Sequence, residues 1–238
     1  MRLDVYLTDK GLCKSRTAAQ SLIKTGGVSL NGTACTKPAQ EVAETDAVEI
    51  TGEQLRYAGR GGLKLEAALE QFGLDISGAE CIDIGSSTGG FTDCMLQHGA
   101  ARVYAVDVGR DQLAEFLRRD SRVVSMEQTD IRTAELPQAD FIGTDVSFIS
   151  LRLILPHIYR LLKKGGRAVV LIKPQFEAGR QNLSKKGVVR DEKVRLRIRD
   201  EIAEFARGCG FEVVGTAASP ITGGDGNVEF LMCLGRPL

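Results

Sequence analysis

The stretch Asp83-Ile84-Gly85-Ser86-Ser87-Thr88-Gly89-Gly90-Phe91 decides how the rest of the chain is read. It closes an apolar run, Glu80-Cys81-Ile82-Asp83-Ile84, that reads as a strand, and it leads into a helix predicted over about 90–98. Glycines in a strand-to-helix turn let backbone approach a ligand closely and supply positive φ where it is needed. The spacing is G-x-x-x-G-G, so the pyrophosphate fingerprint G-x-G-x-x-G is not met. No Gly-Lys-Ser/Thr follows, which excludes a phosphate-binding P-loop. Val106-Asp107-Val108 ends the next strand, and a carboxylate there can accept hydrogen bonds from both hydroxyls of a ribose. The loop alone is equally compatible with a plain βα turn beside a solvated Asp. Loop and acid together point to a cofactor. A wide first turn suits S-adenosylmethionine, whose amino-acid end needs room and which carries no pyrophosphate.

Outward from this loop, elements alternate. Strands are expected at 102–106, about 122–126, about 140–144, 168–172, 211–217 and 228–234. Helices are expected at about 62–72, near 111–119, at 151–162 (stopped by Gly165-Gly166) and at 191–207. With 80–84 the strands number seven. Alternation of this kind predicts an open, mostly parallel sheet with helices on both faces, a Rossmann-like α/β fold. No helix separates the last two strands, so the sheet should end in an antiparallel pair.

Before about residue 55 the composition differs. Ser15 is a suitable cap for a helix to Thr25, with Ala18, Ala19, Leu22 and Ile23 as its apolar stripe. Val28-Ser29-Leu30 followed by Asn31-Gly32 reads as a strand and tight turn, and Ala47 to Ile50 as a second strand. The chain is expected to divide into a small α+β unit at 1–55, a linker at 56–61 and a large domain at 62–238.

Composition sets limits. Of 238 residues 43% are hydrophobic, enough for an ordinary core, and Lys+Arg and Asp+Glu both total 31. A uniformly basic nucleic-acid coat is excluded, while a local basic patch is not. The longest apolar runs, such as Ala168 to Ile172, are too short to span a bilayer, and Met1-Arg2-Leu3-Asp4 does not begin a signal peptide. A cytoplasmic protein with no membrane partner is expected. The six cysteines are scattered without a C-x-x-C pair, and His98 and His157 have no ligand-spaced neighbour, so no metal site is expected. Oligomeric state is not legible.

Further segments carry a resemblance. Arg60 to Leu65 (RGGLKL), the glycine loop through Cys94, Asp145 to Leu151 (DVSFISL), Lys173 to Gly179 (KPQFEAG) and Gly226 to Leu231 (GNVEFL) resemble the TlyA family, part of the FtsJ-like ribose 2′-O-methyltransferases. Arg2-Leu3-Asp4, Ser15-Arg16, Gly27-Val28, Asn31-Gly32 and Lys37-Pro38 resemble an S4 RNA-binding domain. The resemblance implies a class I methyltransferase fold and transfer of a methyl group from S-adenosylmethionine to a cytidine 2′-hydroxyl in ribosomal RNA, the large-subunit RNA favoured. It maps the Lys-Asp-Lys-Glu catalytic tetrad onto Lys64, Asp145, Lys173 and Glu229. The cofactor is assigned to Asp83, Gly85, Ser86, Thr88, Gly89, Gly90, Phe91, Asp107, Val108, Asp130 and Asp145, although Phe91 also suits core packing behind the loop.

The residues agree with that chemistry. Asp145 and Lys173 each follow a predicted strand and should emerge at the carboxyl edge. A ribose hydroxyl needs a base as it attacks the methyl group, and a lysine serves only when neutral. RNA contacts are expected from Arg2, Lys14, Arg16, Lys24 and Arg60, from Phe176 by base stacking, and from Arg180, Lys185, Lys186 and Arg190, in a run of basics at 180–199 expected to be presented by a helix. Two competing readings are methylation of another RNA and a ribosome-binding assembly factor that turns over no cofactor.

Overall fold

A computed structural model describes the whole chain except residues 53–55 and 224–225. The expected domain boundary at residue 55 lies outside the described residues. The N-terminal unit holds α1 (Leu3–Asp9) and α2 (Arg16–Lys24) against a three-stranded antiparallel sheet of β1 (Val28–Leu30), β2 (Thr33–Ala34) and β3 (Val48–Ile50), in the order β2-β1-β3. Ser15 caps α2 by accepting from the Ala18 N–H at 3.1 Å. Asn31 and Gly32 both have positive φ, the backbone that a two-residue hairpin turn requires. The helical stripe buries Ala18, Ala19, Leu22 and Ile23, and Leu3, Leu7 and Val28 complete a core.

The large unit is built on seven strands: β4 (Glu80–Ile84), β5 (Arg102–Val106), β6 (Val123–Met126), β7 (Ala139–Thr144), β8 (Leu162–Ile172), β9 (Glu212–Ala218) and β10 (Phe230–Gly235). Their order is β6-β5-β4-β7-β8-β10-β9. Strand β10 lies antiparallel between β8 and β9, while the β4–β5, β5–β6, β4–β7 and β7–β8 pairs are parallel. Side chains alternate across the pleat. Ile82 and Ile84 join one core with α6 (Leu155–Leu161) and α8 (Glu192–Gly208), and Cys81 joins another with α3 (Gly61–Phe72) and α4 (Gly90–Gln97). Strand order reverses between β4 and β7, which opens a crevice at the carboxyl edge of those two strands.

Three expectations are corrected. Near 111–119 only α5 (Glu115–Arg118) is helical. The Glu127 carboxylate accepts the N–H groups of Asp111, Gln112 and Leu113 at 2.7–2.9 Å, so these donors are satisfied outside a helix. The segment 151–162 splits into a 3₁₀ turn, Leu151–Leu153, and α6, because Pro156 has no N–H and is accepted only in a first turn. Gly165-Gly166 do not stop that helix. They fall within β8, where pairing to β7 slips between Ala139↔Leu162 and Phe141↔Arg167. The basic run is helical only from Glu192. Ahead of α8, Gly179 and Gly187 take positive φ, and Arg180–Asn182 forms a single 3₁₀ turn.

Candidate active site

The glycine loop closes on the strand edge through the Gly85 and Ser86 N–H groups, which donate to Val106 O at 2.9 and 3.1 Å. Gly85 has φ +82, and a Cβ there would lie 2.8 Å from Asp145 O, so no side chain fits where the loop crosses β7's end. Asp107 accepts from Ser87 N at 2.8 Å and from Gly109 N at 2.7 Å, which fixes the acid at the tip of β5. Between these parts lies a cavity of about 610 Å³ lined by Gly85, Asp107, Val108, Asp130, Asp145 and Phe148. Arg132 grips Asp130 at 2.6 Å, and its hydrogen bonds hold that carboxyl down at about 2.

Asp83 sits at the root of the loop with no exposed surface. Burial pushes its carboxyl up to about 7, the Asp145 charge adds to this, and a 2.6 Å hydrogen bond donated by Thr92 Oγ1 to Oδ2 opposes it. Among the described residues its Oδ1 has no hydrogen-bond partner, nor has the buried Ser86 Oγ. A buried polar atom left unpaired costs about 1–3 kcal/mol. An acceptor and a hydroxyl waiting at the head of a glycine loop fit the cationic, hydrogen-bonding end of S-adenosylmethionine. The cavity beside Asp107 has the room for its nucleoside.

A second cavity, about 270 Å³, adjoins the first and shares Gly85, Ser87, Asp145 and Ser147 with it. Lys64, Asp145, Lys173 and Glu229 all line it, together with Thr88, Gly90 and Phe91, and with Arg60 and Thr17 on the side of the N-terminal unit. Lys64 comes from the first turn of α3, and Asp145 and Lys173 follow β7 and β8 directly. Glu229 precedes β10, whose antiparallel course starts opposite Ile172 and so begins where β8 ends. Lys64 Nζ donates to Glu229 Oε2 at 2.6 Å, and Glu229 is 2% exposed. Lys173 Nζ lies 2.6 Å from Asp145 Oδ1, donates to Ser147 Oγ at 2.8 Å and is 9% exposed. The tetrad is thus two lysine–carboxylate pairs on one cavity. Phe91 is buried in the α3–α4 core and forms part of the same wall.

The expected RNA contacts separate into two groups. Arg2 and Arg16 both turn onto the buried Asp4, at 2.9 and 3.0 Å, and hydrogen bonds led by Arg2's hold that carboxyl far below the usual range. Lys14 donates to Arg56 O at 2.7 Å and lies 3.7 Å from Asp93, joining the N-terminal unit to the linker and α4. Ser15 Oγ donates to Ala58 O, and Asp93 accepts from Ala58 N at 2.8 Å. Lys14 and Arg16 stay exposed despite these contacts, and Lys24, Arg60, Arg180, Lys185, Lys186 and Arg190 are exposed as well. Phe176 packs against Phe148, ring centres 5.1 Å apart and tilted 48°.

Phe148 and Ser147 were not singled out in the sequence. Phe148 is 91% exposed on the rim of the cofactor cavity, at φ +63. Left-handed backbone at a bulky residue costs about 1–3 kcal/mol. The segment Asp145 to Leu151 carried the signal, but exposure of an aromatic is invisible without the fold.

Sheet order, glycine loop, strand-end acid and paired cavities define a class I S-adenosylmethionine-dependent methyltransferase. Comparison with known proteins agrees: the FtsJ-like methyltransferase family matches residues 57–236, and the S4 domain matches residues 1–48. The 16S/23S rRNA (cytidine-2′-O)-methyltransferase TlyA of Mycobacterium tuberculosis is 41% identical over 98% of this chain and 89% of its own length. The 23S rRNA (cytidine-2′-O)-methyltransferase TlyA of Campylobacter jejuni is 36% identical over 97% of each. A solved structure from Streptococcus thermophilus, titled a hemolysin, is 45% identical, covers 100% of this chain and 88% of that one, and superposes with a TM-score of 0.80. The chain belongs to the TlyA family, in which an S4 domain precedes an FtsJ-like methyltransferase domain. No helix among the described residues is long and apolar enough to cross a membrane.

Proposed function

We propose that this protein methylates the ribose 2′-hydroxyl of a cytidine in ribosomal RNA, with the large-subunit RNA as its principal substrate. The observation that carries the reading is the pair of lysine–carboxylate contacts lining one cavity next to the cofactor crevice. The cytidine and the large subunit rest on the two TlyA relatives, whose names share 23S rRNA and the cytidine 2′-oxygen. Such work belongs in the cytoplasm, where ribosomes are assembled.

Bound S-adenosylmethionine supplies a methyl group on a sulfonium that leaves as a neutral thioether. Lys173 is the base: its neutral Nζ takes the 2′-hydroxyl proton as the oxygen gains the methyl carbon, and the lysine ends as an ammonium. Asp145 orients Lys173, and Lys64, held by Glu229, keeps a positive charge facing the oxygen that loses its proton. Asp83, Gly85, Ser86, Thr88, Gly89 and Gly90 form the cofactor's amino-acid end of the site, and Asp107, Val108 and Asp130 its nucleoside end. The exposed Phe148 and its partner Phe176 offer a stacking surface for the target base. Residues 1–55 dock the RNA, and Lys24, Arg60, Arg180, Lys185, Lys186 and Arg190 contact phosphates.

The test is a map of 2′-O-methyl positions in 16S and 23S rRNA from cells with and without the gene. Loss of methylation at a cytidine of 23S rRNA is expected. Retention of every ribose methyl, or loss of a base methyl instead, overturns the reading.

A further inference from the structure

The contacts of Lys173 carry an inference beyond the tetrad, and it rests on the ribose-methylation reading above. A neutral lysine amine has two N–H bonds and one lone pair, and the amine turns freely about its last carbon–nitrogen bond. An accepting partner for a single N–H leaves that rotation open. Two partners close it. In this structure Lys173 Nζ donates a hydrogen bond to Ser147 Oγ at 2.8 Å and has Asp145 Oδ1 as an ion-pair contact at 2.6 Å, an oxygen that accepts no hydrogen bond among the described residues; both side chains leave the same strand end, two residues apart.

We propose that Ser147 is a positioning residue for methyl transfer: its hydroxyl accepts one N–H of Lys173 while the Asp145 carboxylate contacts the same nitrogen, and together they turn the amine toward the ribose 2′-hydroxyl. Both Asp145 and Ser147 line the catalytic cavity and the cofactor cavity, so the third direction at Nζ opens onto the place where the two meet. The unusual backbone at Phe148 turns the chain immediately after Ser147, which sets the hydroxyl toward Lys173 and the following ring toward solvent. When the 2′-hydroxyl O–H bond breaks, its proton enters the one open position on Nζ. The resulting ammonium then has three N–H bonds, one of them held by Ser147, beside the Asp145 carboxylate. Lys64 lacks such a second partner among the described residues: its Nζ donates to Glu229 Oε2 alone. That contrast marks Lys173 rather than Lys64 as the group whose lone pair is directed.

The experiment compares wild type, S147A, S147T and K173A in single-turnover methyl transfer to ribosomal RNA across pH 6 to 9.5. Calorimetric affinity for the cofactor and filter-binding affinity for the RNA are measured alongside. S147A is expected to lose about tenfold in rate, the worth of one hydrogen bond to a charged or charge-developing group, with both affinities unchanged. S147T, which keeps the hydroxyl, should recover most of the rate. The proposal is overturned by an S147A rate within twofold of wild type or an S147T as slow as S147A. It is also overturned by an RNA affinity that falls in step with the rate. An active K173A would remove Lys173 as the base, while the ribose reading stands or falls separately on the 2′-O-methyl map. A dead K173A beside a normal S147A removes only the role of Ser147.

Discussion

Lys64–Glu229 and Lys173–Asp145 are built from the same two residue types, at the same 2.6 Å separation, on the same cavity. They differ in what surrounds the carboxylate. Glu229 is enclosed, with no room for a side chain at Gly223 beside it, whereas the Asp145 side chain keeps 20% of its surface and Lys173 has a second acceptor in Ser147. The difference shows how one fold gives two lysine–carboxylate pairs different surroundings within the same pocket.

The strongest way to break this comparison is Lys173→Ala. Single-turnover transfer should fall about 10²–10⁴-fold while cofactor and RNA still bind. Arginine at 173 should not rescue, because a guanidinium does not give up its proton near neutral pH. Near-normal transfer in the alanine variant would end the distinction between the pairs.

Stability sharpens it next. Glu229→Ala strands the Lys64 ammonium in a closed site and should cost about 3–5 kcal/mol in denaturant unfolding. Asp145→Ala should cost clearly less, because Lys173 keeps Ser147 and reaches the open cavity. Equal losses would mean that both pairs are structural.

The third carboxylate of the region, Asp83, has no cation beside it among the described residues. Its folded-state value of about 7 lies above the ordinary 3.8, so the folded chain holds this proton more tightly than the unfolded chain. The contribution is present at low pH and is lost as pH rises from about 4 through 7. Asp83→Asn should remove that decline from the unfolding profile of the cofactor-free protein. A cation bound beside Oδ1 favours ionised Asp83, so cofactor binding near pH 6.5 should release a proton, read by calorimetry in two buffers of different ionisation heat.

The smallest effects separate a basic residue paired to Asp4 from those that precede α8. Lys185→Ala with Lys186→Ala should lower RNA affinity and reduce the salt slope by about 0.7–0.9 per lost phosphate contact. Arg2→Ala should instead act mainly on stability, since its guanidinium supports the buried Asp4. A matching salt-slope change in Arg2→Ala would place it on the RNA.

Much of the fold was legible because its signals are local. Ser15, the Ala18–Ile23 stripe and Asn31-Gly32 each act within a turn or two, and all three appear as expected. The sheet strands were found by apolar runs bounded by polar and glycine residues. The helix near 111–119 was misjudged because its donors are taken by Glu127, fifteen or so residues away, through contacts no periodicity reveals. The helical basic patch was overextended for a similar reason, since Gly179 and Gly187 adopt left-handed backbone only in the folded loop.

By itself, then, the sequence determined the strand–loop–helix core, the acid at the end of β5 and the four residues of the tetrad, since these depend on short-range pattern and motif register. Tertiary structure decided how the tetrad is paired. Lys64 and Glu229 stand 165 positions apart and meet only because β10 runs antiparallel and starts at the carboxyl edge. It also decided which basic residues are tied to a carboxylate, because Asp4, wholly buried, pairs with the partly exposed Arg2 and the exposed Arg16. Charge is written in the sequence, but the desolvation that assigns each charge a partner exists only once the chain has folded.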